Sequence, residues 1–234
     1  MKTLSVLIPI YNELRTVEKL SESIKKLPMG FVSQVVIVDD GSTDGSADLL
    51  NKLLQESELS VDLVRKENGG KGSAIRLGLD SLRGTHAVVL DADLEIDTSD
   101  LIPLFQPILE AKAEATFGVR KFTSQSSFTY RYVIGNKFLS HLYGILFNHF
   151  LRDIMCGAKL LPTIVWKEMD LQMNGFNTEV EIAAKLWQCR IRPWEVDISY
   201  NPRTREEGKG ITVFDAFLII FFLFFLRIKN RIRK

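Results

Sequence analysis

Four short apolar runs, each followed by a segment with apolar residues at helical spacing, leave this chain few architectures to choose from. Residues 4–10 form a seven-residue run of the kind that reads as a buried strand, and Leu14, Val17, Leu20, Ile24 and Leu27 then recur at helical intervals. Val35–Val38 is a second strand, and the helix signalled by Ala47, Leu50, Leu53 and Leu54 has Thr43 or Asp44 in position to cap it. Val61–Arg65 is a third, weaker strand. A Gly-rich turn at 68–72 then opens a helix through Ala74, Ile75, Leu79 and Leu82. Ala87–Leu90 is the fourth strand. Such alternation predicts a mostly parallel α/β sheet flanked by helices, in which ligands bind beyond the carboxyl ends of the strands. Polar residues gather at those ends: Tyr11, Asn12 and Glu13, then Asp39 and Asp40, then Asp91 and Asp93.

Length and charge narrow the class. The 234 residues suffice for one sizeable domain with its own core. Among the last eight residues Arg227, Lys229, Arg231, Arg233 and Lys234 are basic and none is acidic; without them, 25 basic residues face 29 acidic ones. A mildly acidic body with a basic tail argues against a general nucleic-acid binder. Cys156 and Cys189 sit at no metal-ligand spacing and form no disulfide framework, which fits a reducing compartment. The chain enters a strand pattern at once, without a basic region and cleavage site, so no signal peptide is expected. The dinucleotide-binding and phosphate-cradling glycine motifs are both absent, as are internal repeats and low-complexity runs.

Asp91 and Asp93 are two apart, so extended backbone would aim both side chains the same way, and Glu95 continues the spacing if the chain stays extended. Clustered carboxylates repel, and a hard divalent cation relieves the repulsion; Mg²⁺ typically takes one or two carboxylates plus substrate phosphate oxygens. The same pattern also suits a solvated acidic loop ahead of the helix that starts near Ser99. Asp39 or Asp40 suits either a nucleoside hydrogen bond or a turn carboxylate. Glu13, Glu179 and Glu181 equally suit the first turns of helices.

Taken together, the segments resemble family 2 glycosyltransferases with the GT-A (Rossmann-like) fold, nearest to the polyprenyl-phosphate sugar synthases that make dolichyl-phosphate mannose or glucose. The resemblance rests on Val6-Leu-Ile-Pro-Ile-Tyr-Asn-Glu13, Val36-Ile-Val-Asp-Asp-Gly-Ser-Thr-Asp-Gly45, Asn68-Gly-Gly-Lys-Gly-Ser-Ala74 and Leu90-Asp-Ala-Asp-Leu-Glu95. It continues in Asp153-Ile-Met-Cys-Gly-Ala-Lys159, Gly175-Phe-Asn-Thr-Glu-Val-Glu181 and Tyr200-Asn-Pro-Arg-Thr-Arg-Glu-Glu-Gly-Lys209. It implies that Pro9, Tyr11, Glu13 and Asp39 hold the nucleoside of a nucleotide sugar, with Lys71, Arg76 and Ala92 on the donor side. Asp91 and Asp93, with Glu95 where many relatives carry Gln, would meet Mg²⁺ or Mn²⁺ and the diphosphate. Arg203 and Lys209 match a basic loop closing over donor and lipid phosphates, with Arg120 and Arg131 as further acceptor-phosphate ligands. Relatives often show Gly-Ser-Arg where this chain has Gly118, Val119 and Arg120.

The implied chemistry is inverting hexosyl transfer, from a UDP-glucose or GDP-mannose type of donor, to a polyprenyl or dolichyl phosphate. A phosphate monoester with a second pKa of about 6 is already an anionic nucleophile near neutrality and needs cations more than a base. A saccharide or lipid hydroxyl would instead need a positioned carboxylate, for which Glu179 and Glu181 are the candidates, as they are for sugar contacts. A non-catalytic nucleotide-sugar-binding scaffold and a nucleotidyltransferase are the other readings.

Two segments point to a membrane. Residues 128–151 read as an amphipathic helix with Val133, Phe138, Leu142 and Ile145 along one stripe, which suits either the core or a lipid surface. His141 and His149 have no acidic partner nearby in sequence and read as ordinary surface or core residues. Residues 216–226 are eleven uninterrupted apolar residues, about 16 Å as a helix, against roughly 30 Å of hydrocarbon to cross. The expectation is therefore a catalytic domain over 1–210, with a nucleotide-sugar half to 120 and an acceptor half beyond it. A peripheral or monotopic tail over 211–234 would lie on the cytoplasmic side of a membrane or, alternatively, bury an oligomer contact.

Overall fold

The computed structural model describes residues 1–55, 57–121, 130–175, 177–201 and 213–232, without the side chains at 131, 213, 214 and 229–232. The elements follow in chain order: β1 (Leu4–Ile10), α1 (Val17–Lys25), β2 (Val32–Asp39), α2 (Ser46–Leu54), β3 (Val61–Arg65), α3 (Lys71–Leu79) and β4 (His86–Val89). After a 3-10 turn at Thr98–Asp100 come α4 (Leu101–Leu109), β5 (Thr116–Arg120), α5 (Tyr130–Phe147), β6 (Lys159–Pro162), α6 (Thr163–Glu168), α7 (Thr178–Gln188), β7 (Trp194–Ile198) and α8 (Val213–Ile232).

One seven-stranded sheet runs β3-β2-β1-β4-β6-β5-β7. β1 pairs in parallel with β2 and β4, β2 with β3, and β5 with β7, whereas β6 is antiparallel to both of its neighbours. The mostly parallel sheet read from the alternation is therefore present. Its central strands β1, β2 and β4 are mostly apolar because both faces are covered, whereas the edge strands β3 and β7 carry charged residues and are partly exposed. Alternate residues of one strand feed opposite layers, as the two-residue period of a strand requires. Leu7, Val36, Val38, Ala87 and Val89 join the core shared by α3, α5, α6, α7 and α8. Val6, Ile8, Val35, Ile37 and Val88 join the core under α1, α2 and α4.

The two membrane-facing segments differ from their reading in detail. In α5 the core-facing residues are Leu139, Tyr143 and Phe147, while Ile134, Phe138 and Ile145 stand exposed. Phe138 and Ile145 of the expected stripe thus lie off the packing face. α8 packs against α5 and α7 and buries Ile219, Phe222, Leu223 and Leu226 in the core of the body. Its opposite face leaves Phe217, Leu218, Phe221, Phe224, Phe225 and Ile228 exposed. Among the described residues no helix is long and apolar enough to cross a membrane. The expected boundary at 210–211 lies outside the described residues.

Candidate active site

Because β2, β1 and β4 are adjacent and parallel, their carboxyl ends deliver three polar loops to one edge of the sheet. The first two loops are laced together. Asn12, in the left-handed region at φ 52°, accepts from the Thr43 amide through Oδ1 (2.9 Å), and its own amide donates to Ser42 Oγ (3.0 Å). Asp44 accepts from the Leu14 amide at 3.0 Å and from the Ser46 amide at 2.9 Å, although the cap position of α2 itself falls to Gly45 rather than to Thr43 or Asp44. Asp39 is buried and accepts from the Ser42 amide at 2.9 Å. It lines an open cleft of about 530 Å³ with Gly41, Ser42, Arg65, Lys66, Glu67 and Asn68. Tyr11 is exposed nearby in sequence, Pro9 is half-buried in β1, and Glu13 Oε2 accepts from Thr16 Oγ1 at 2.9 Å ahead of α1.

Asp40 does something the sequence left undivided from Asp39. It is buried and receives the Gly69 and Gly70 amides at 3.0 and 2.7 Å, with Lys66 Nζ at 2.6 Å. From the other side, the Asn174 carbonyl accepts from the Gly72 amide at 3.0 Å. The approach there is so close that a Cβ on Gly72 would stand 1.9 Å from the Met173 carbonyl oxygen. Arg76, expected on the donor side, is spent on this bracing: it donates to the Met173 carbonyl (2.9 Å) and to Asn174 Oδ1 (2.5 Å).

The turn so clamped presents Lys71. Its ammonium lies 2.7 and 3.0 Å from the two carboxylate oxygens of Asp91 and 2.8 Å from Glu179 Oε1. Glu179 Oε2 in turn accepts from Lys159 Nζ at 2.6 Å. Lys159, not foreseen from the sequence, reaches this point because antiparallel β6 starts opposite the end of β4, with Lys159 in register with Val89. Burial alone would raise the Glu179 pKa, but the ammonium groups of Lys159 and Lys71 overcome it and hold the carboxylate at about 2. The same pairing keeps Lys71 firmly protonated: burial would lower its pKa, and Asp91 and Glu179 raise it well above the ordinary value. Glu181 is also buried, and it accepts from the Gln172 and Met173 amides at 2.9–3.0 Å and from Lys185 at 3.0 Å. Both acids considered as bases are therefore anchors. Their buried side chains on consecutive sides of α7 hold, respectively, Lys71 and the loop that clamps it.

Glu95 and Arg120 have surroundings other than those expected. The extended spacing does not reach Glu95, because residues 92–93 turn and Leu94 adopts φ 59°. Glu95 instead accepts from the Tyr200 hydroxyl at 2.9 Å, while Asp93 Oδ1 accepts from the Glu95 amide at 3.0 Å. Among the described residues no three acidic, histidine or cysteine side chains form a metal cage. Arg120 has its fork committed to buried Asp153, with Nε and Nη2 each 2.7 Å from a carboxylate oxygen, and its guanidinium lies 5.1 Å from the Tyr200 ring centre. In the structure it supports that corner. Arg203 and Lys209 lie outside the described residues, as does the side chain of Arg131. Ala92 packs into the core beneath the loop. The two cysteines are free; burial pushes the Cys156 thiol up to about 12, so it stays protonated.

Asp91 and Asp93 on one turn offer hard oxygen donors and no closed cage. That donor set fits Mg²⁺ or Mn²⁺ completing its shell with phosphate oxygens and water, and it needs no third protein acid. The Asp39 cleft and the Lys71–Asp91 pair thus both lie at the carboxyl ends of the parallel strands or on the turn braced against them.

The glycosyl transferase family 2 profile matches residues 5–161 of the chain. The dodecaprenyl-phosphate galacturonate synthase of Rhizobium johnstonii is 26% identical, across 97% of this chain and 68% of that one. The undecaprenyl-phosphate 4-deoxy-4-formamido-L-arabinose transferase of Shewanella sediminis is 29% identical, across 88% of this chain and 61% of its own length. Among solved structures, glucosyl-3-phosphoglycerate synthase of Mycobacterium tuberculosis, in complex with Mn²⁺, UDP and phosphoglyceric acid, matches with a TM-score of 0.72. It is 18% identical and aligns over 97% of this chain and 78% of that chain, a likeness of fold.

Proposed function

This chain belongs to glycosyl transferase family 2, and on that premise we propose that it moves a hexose from a nucleotide-diphosphate sugar to a polyprenyl phosphate, with inversion, at a membrane surface. The observation that carries the choice of acceptor is the state of Glu179 and Glu181. A hydroxyl acceptor needs a carboxylate able to take a proton near neutrality. Glu179 is held at about 2 between two ammonium groups, and Glu181 is consumed by backbone amides and Lys185. A phosphate acceptor is anionic without any base. Two relatives carry polyprenyl-phosphate acceptors in their names, which supports the same choice.

In this reading Pro9, Tyr11, Glu13 and Asp39 form the nucleoside end of the cleft, and Asp91 and Asp93 hold Mg²⁺ or Mn²⁺. The cation, when bound, neutralises charge building on the departing nucleoside diphosphate. Lys71 adds a second fixed positive charge whose clamped turn costs no reorganisation during transfer. The acceptor phosphate falls to Arg131, Arg203 and Lys209. The membrane surface is supported by the outward row of Phe217, Phe221, Phe225 and Ile228 on α8, beside Ile134, Phe138 and Ile145 on the neighbouring α5. Arg227, Lys229, Arg231, Arg233 and Lys234 at the end of α8 and beyond would meet anionic headgroups, each contributing about 1 kcal/mol near the surface.

The test is to incubate the protein with Mg²⁺ or Mn²⁺, a short polyprenyl phosphate and a panel of nucleotide sugars, and to look for glycosylated lipid by mass spectrometry beside an Asp93→Ala control. Lipid product with one donor, lost in the variant, is expected. Metal-dependent release of nucleoside diphosphate without lipid product would move the acceptor to a hydroxyl; silence in both channels would leave a binding scaffold.

A further inference from the structure

Lys159, Glu179, Lys71 and Asp91 form a line of alternating charge that runs from the core towards the surface at the end of β4. Lys159 is 1% exposed and Glu179 6%, whereas Lys71 and Asp91 are 25% and 30% exposed. The buried end is rigid: Lys159 Nζ bonds both Glu179 and the Cys156 carbonyl. The backbone under Lys71 is rigid too, because Asp40 holds the Gly70 amide and the Asn174 carbonyl holds the Gly72 amide. Only the Lys71 side chain and the Asp91 carboxylate have room to rearrange. The ammonium covers both oxygens of Asp91, yet already has a second carboxylate partner at 2.8 Å. It can therefore leave Asp91 without becoming an unpaired charge, which is the costly outcome at a partly buried site.

We propose that Lys71 is the built-in counter-ion of Asp91, competing with the divalent cation for that carboxylate, and that Glu179 is the positioning residue that retains the ammonium when Asp91 exchanges partners. The inference rests on the metal-dependent reading above. In the cation-free site Lys71 prevents Asp91 and Asp93 from repelling each other. Once Asp91 turns to the cation, Lys71 stays tethered by Glu179 near the end of β4, with its charge available to a diphosphate. A lysine tethered only to Asp91 would instead block cation binding whenever it stayed and be lost from the site whenever it left.

Mn²⁺ affinity, read from the loss of the free-ion electron paramagnetic resonance signal with Mn²⁺ alone and with Mn²⁺ plus UDP, separates these cases. Lys71→Met should bind Mn²⁺ about fivefold more tightly than the parent chain, the size of a partly exposed ion pair, while its transfer rate falls. Glu179→Gln should bind it about fivefold more weakly, because the ammonium then has Asp91 alone. In a chain already carrying Lys71→Met, adding Glu179→Gln should change Mn²⁺ affinity by less than about twofold, a coupling that a merely structural role would not produce. Equal or weaker Mn²⁺ binding by Lys71→Met overturns the inference, as do independent effects of the two substitutions. Should Glu179→Gln fail to fold, Lys71→Met decides the matter, since its side chain is partly exposed and Lys159 still pairs Glu179. If neither the parent chain nor Lys71→Met binds Mn²⁺ with or without UDP, the metal-dependent reading itself falls, and this inference with it.

Discussion

Asp153→Asn tests whether Arg120 supports the site or serves it directly. The pair is buried, with side-chain exposures of 10% and 4%, and both of its guanidinium–carboxylate contacts are 2.7 Å. Removing one partner of a buried ion pair costs about 3–5 kcal/mol, because the other charge is left uncompensated. Asparagine retains one acceptor oxygen, so the lower end, about 3 kcal/mol, is expected, or roughly 6–12 °C in Tm for a chain of this size. Urea unfolding followed by the fluorescence of Trp166, Trp187 and Trp194 measures it. Arg120→Met keeps the apolar stem against Tyr200 and removes the charge. The double variant should then be no less stable than Asp153→Asn alone, a coupling of at least about 2 kcal/mol. A loss below about 1 kcal/mol for Asp153→Asn, or effects that add within about 0.5 kcal/mol, would refute the reasoning. In the transfer assay, Arg120→Met should leave the KM for polyprenyl phosphate within about threefold; a rise beyond tenfold would return Arg120 to the acceptor site.

Three further outcomes are expected. Gly72→Ala should destabilise by about 1–3 kcal/mol, since its Cβ would meet the Met173 carbonyl oxygen 1.9 Å away; unchanged Tm would mean that the clamp on the Lys71 turn is looser than described. Burial, aided by Lys2, lowers the His86 pKa to about 4, below its unfolded value of about 6.5, so the unfolded chain binds the extra proton first. The stability this contributes is present above pH 6.5 and lost as pH falls towards 4, and a thermal-unfolding series on His86→Gln should lack that part of the slope. On α8, Leu223→Ala should cost about 2–5 kcal/mol at a fully buried site, whereas Phe221→Ser should barely change Tm but reduce co-sedimentation with anionic vesicles. Equal vesicle binding by the parent chain and Phe221→Ser would remove the outward row from the membrane reading.

The alternation of apolar runs with helical spacing was enough to predict a mostly parallel sheet, because a strand covered on both faces reads as a nearly continuous apolar run and a strand's end is where polar side chains can emerge. The clustering of Asp39, Asp91 and Asp93 at one edge follows from that alone. Their neighbours do not. Lys159 meets Glu179 only because β6 runs antiparallel and starts opposite the end of β4, and strand direction carries no local signature. Glu179 and Glu181 look alike in the sequence, as first-turn acids of α7, yet one holds a lysine pair and the other a loop. The extended spacing on which Glu95 depended is broken by the turn at 92–93 and the left-handed Leu94, a conformation that leucine does not announce. α8 shows the same division: its apolar length is plain in the sequence, but which phenylalanines face the core and which stand exposed is decided by the helices it packs against. Periodicity reports what a residue's own segment wants, whereas the partner of a buried charge is set by topology, across separations that no local pattern spans.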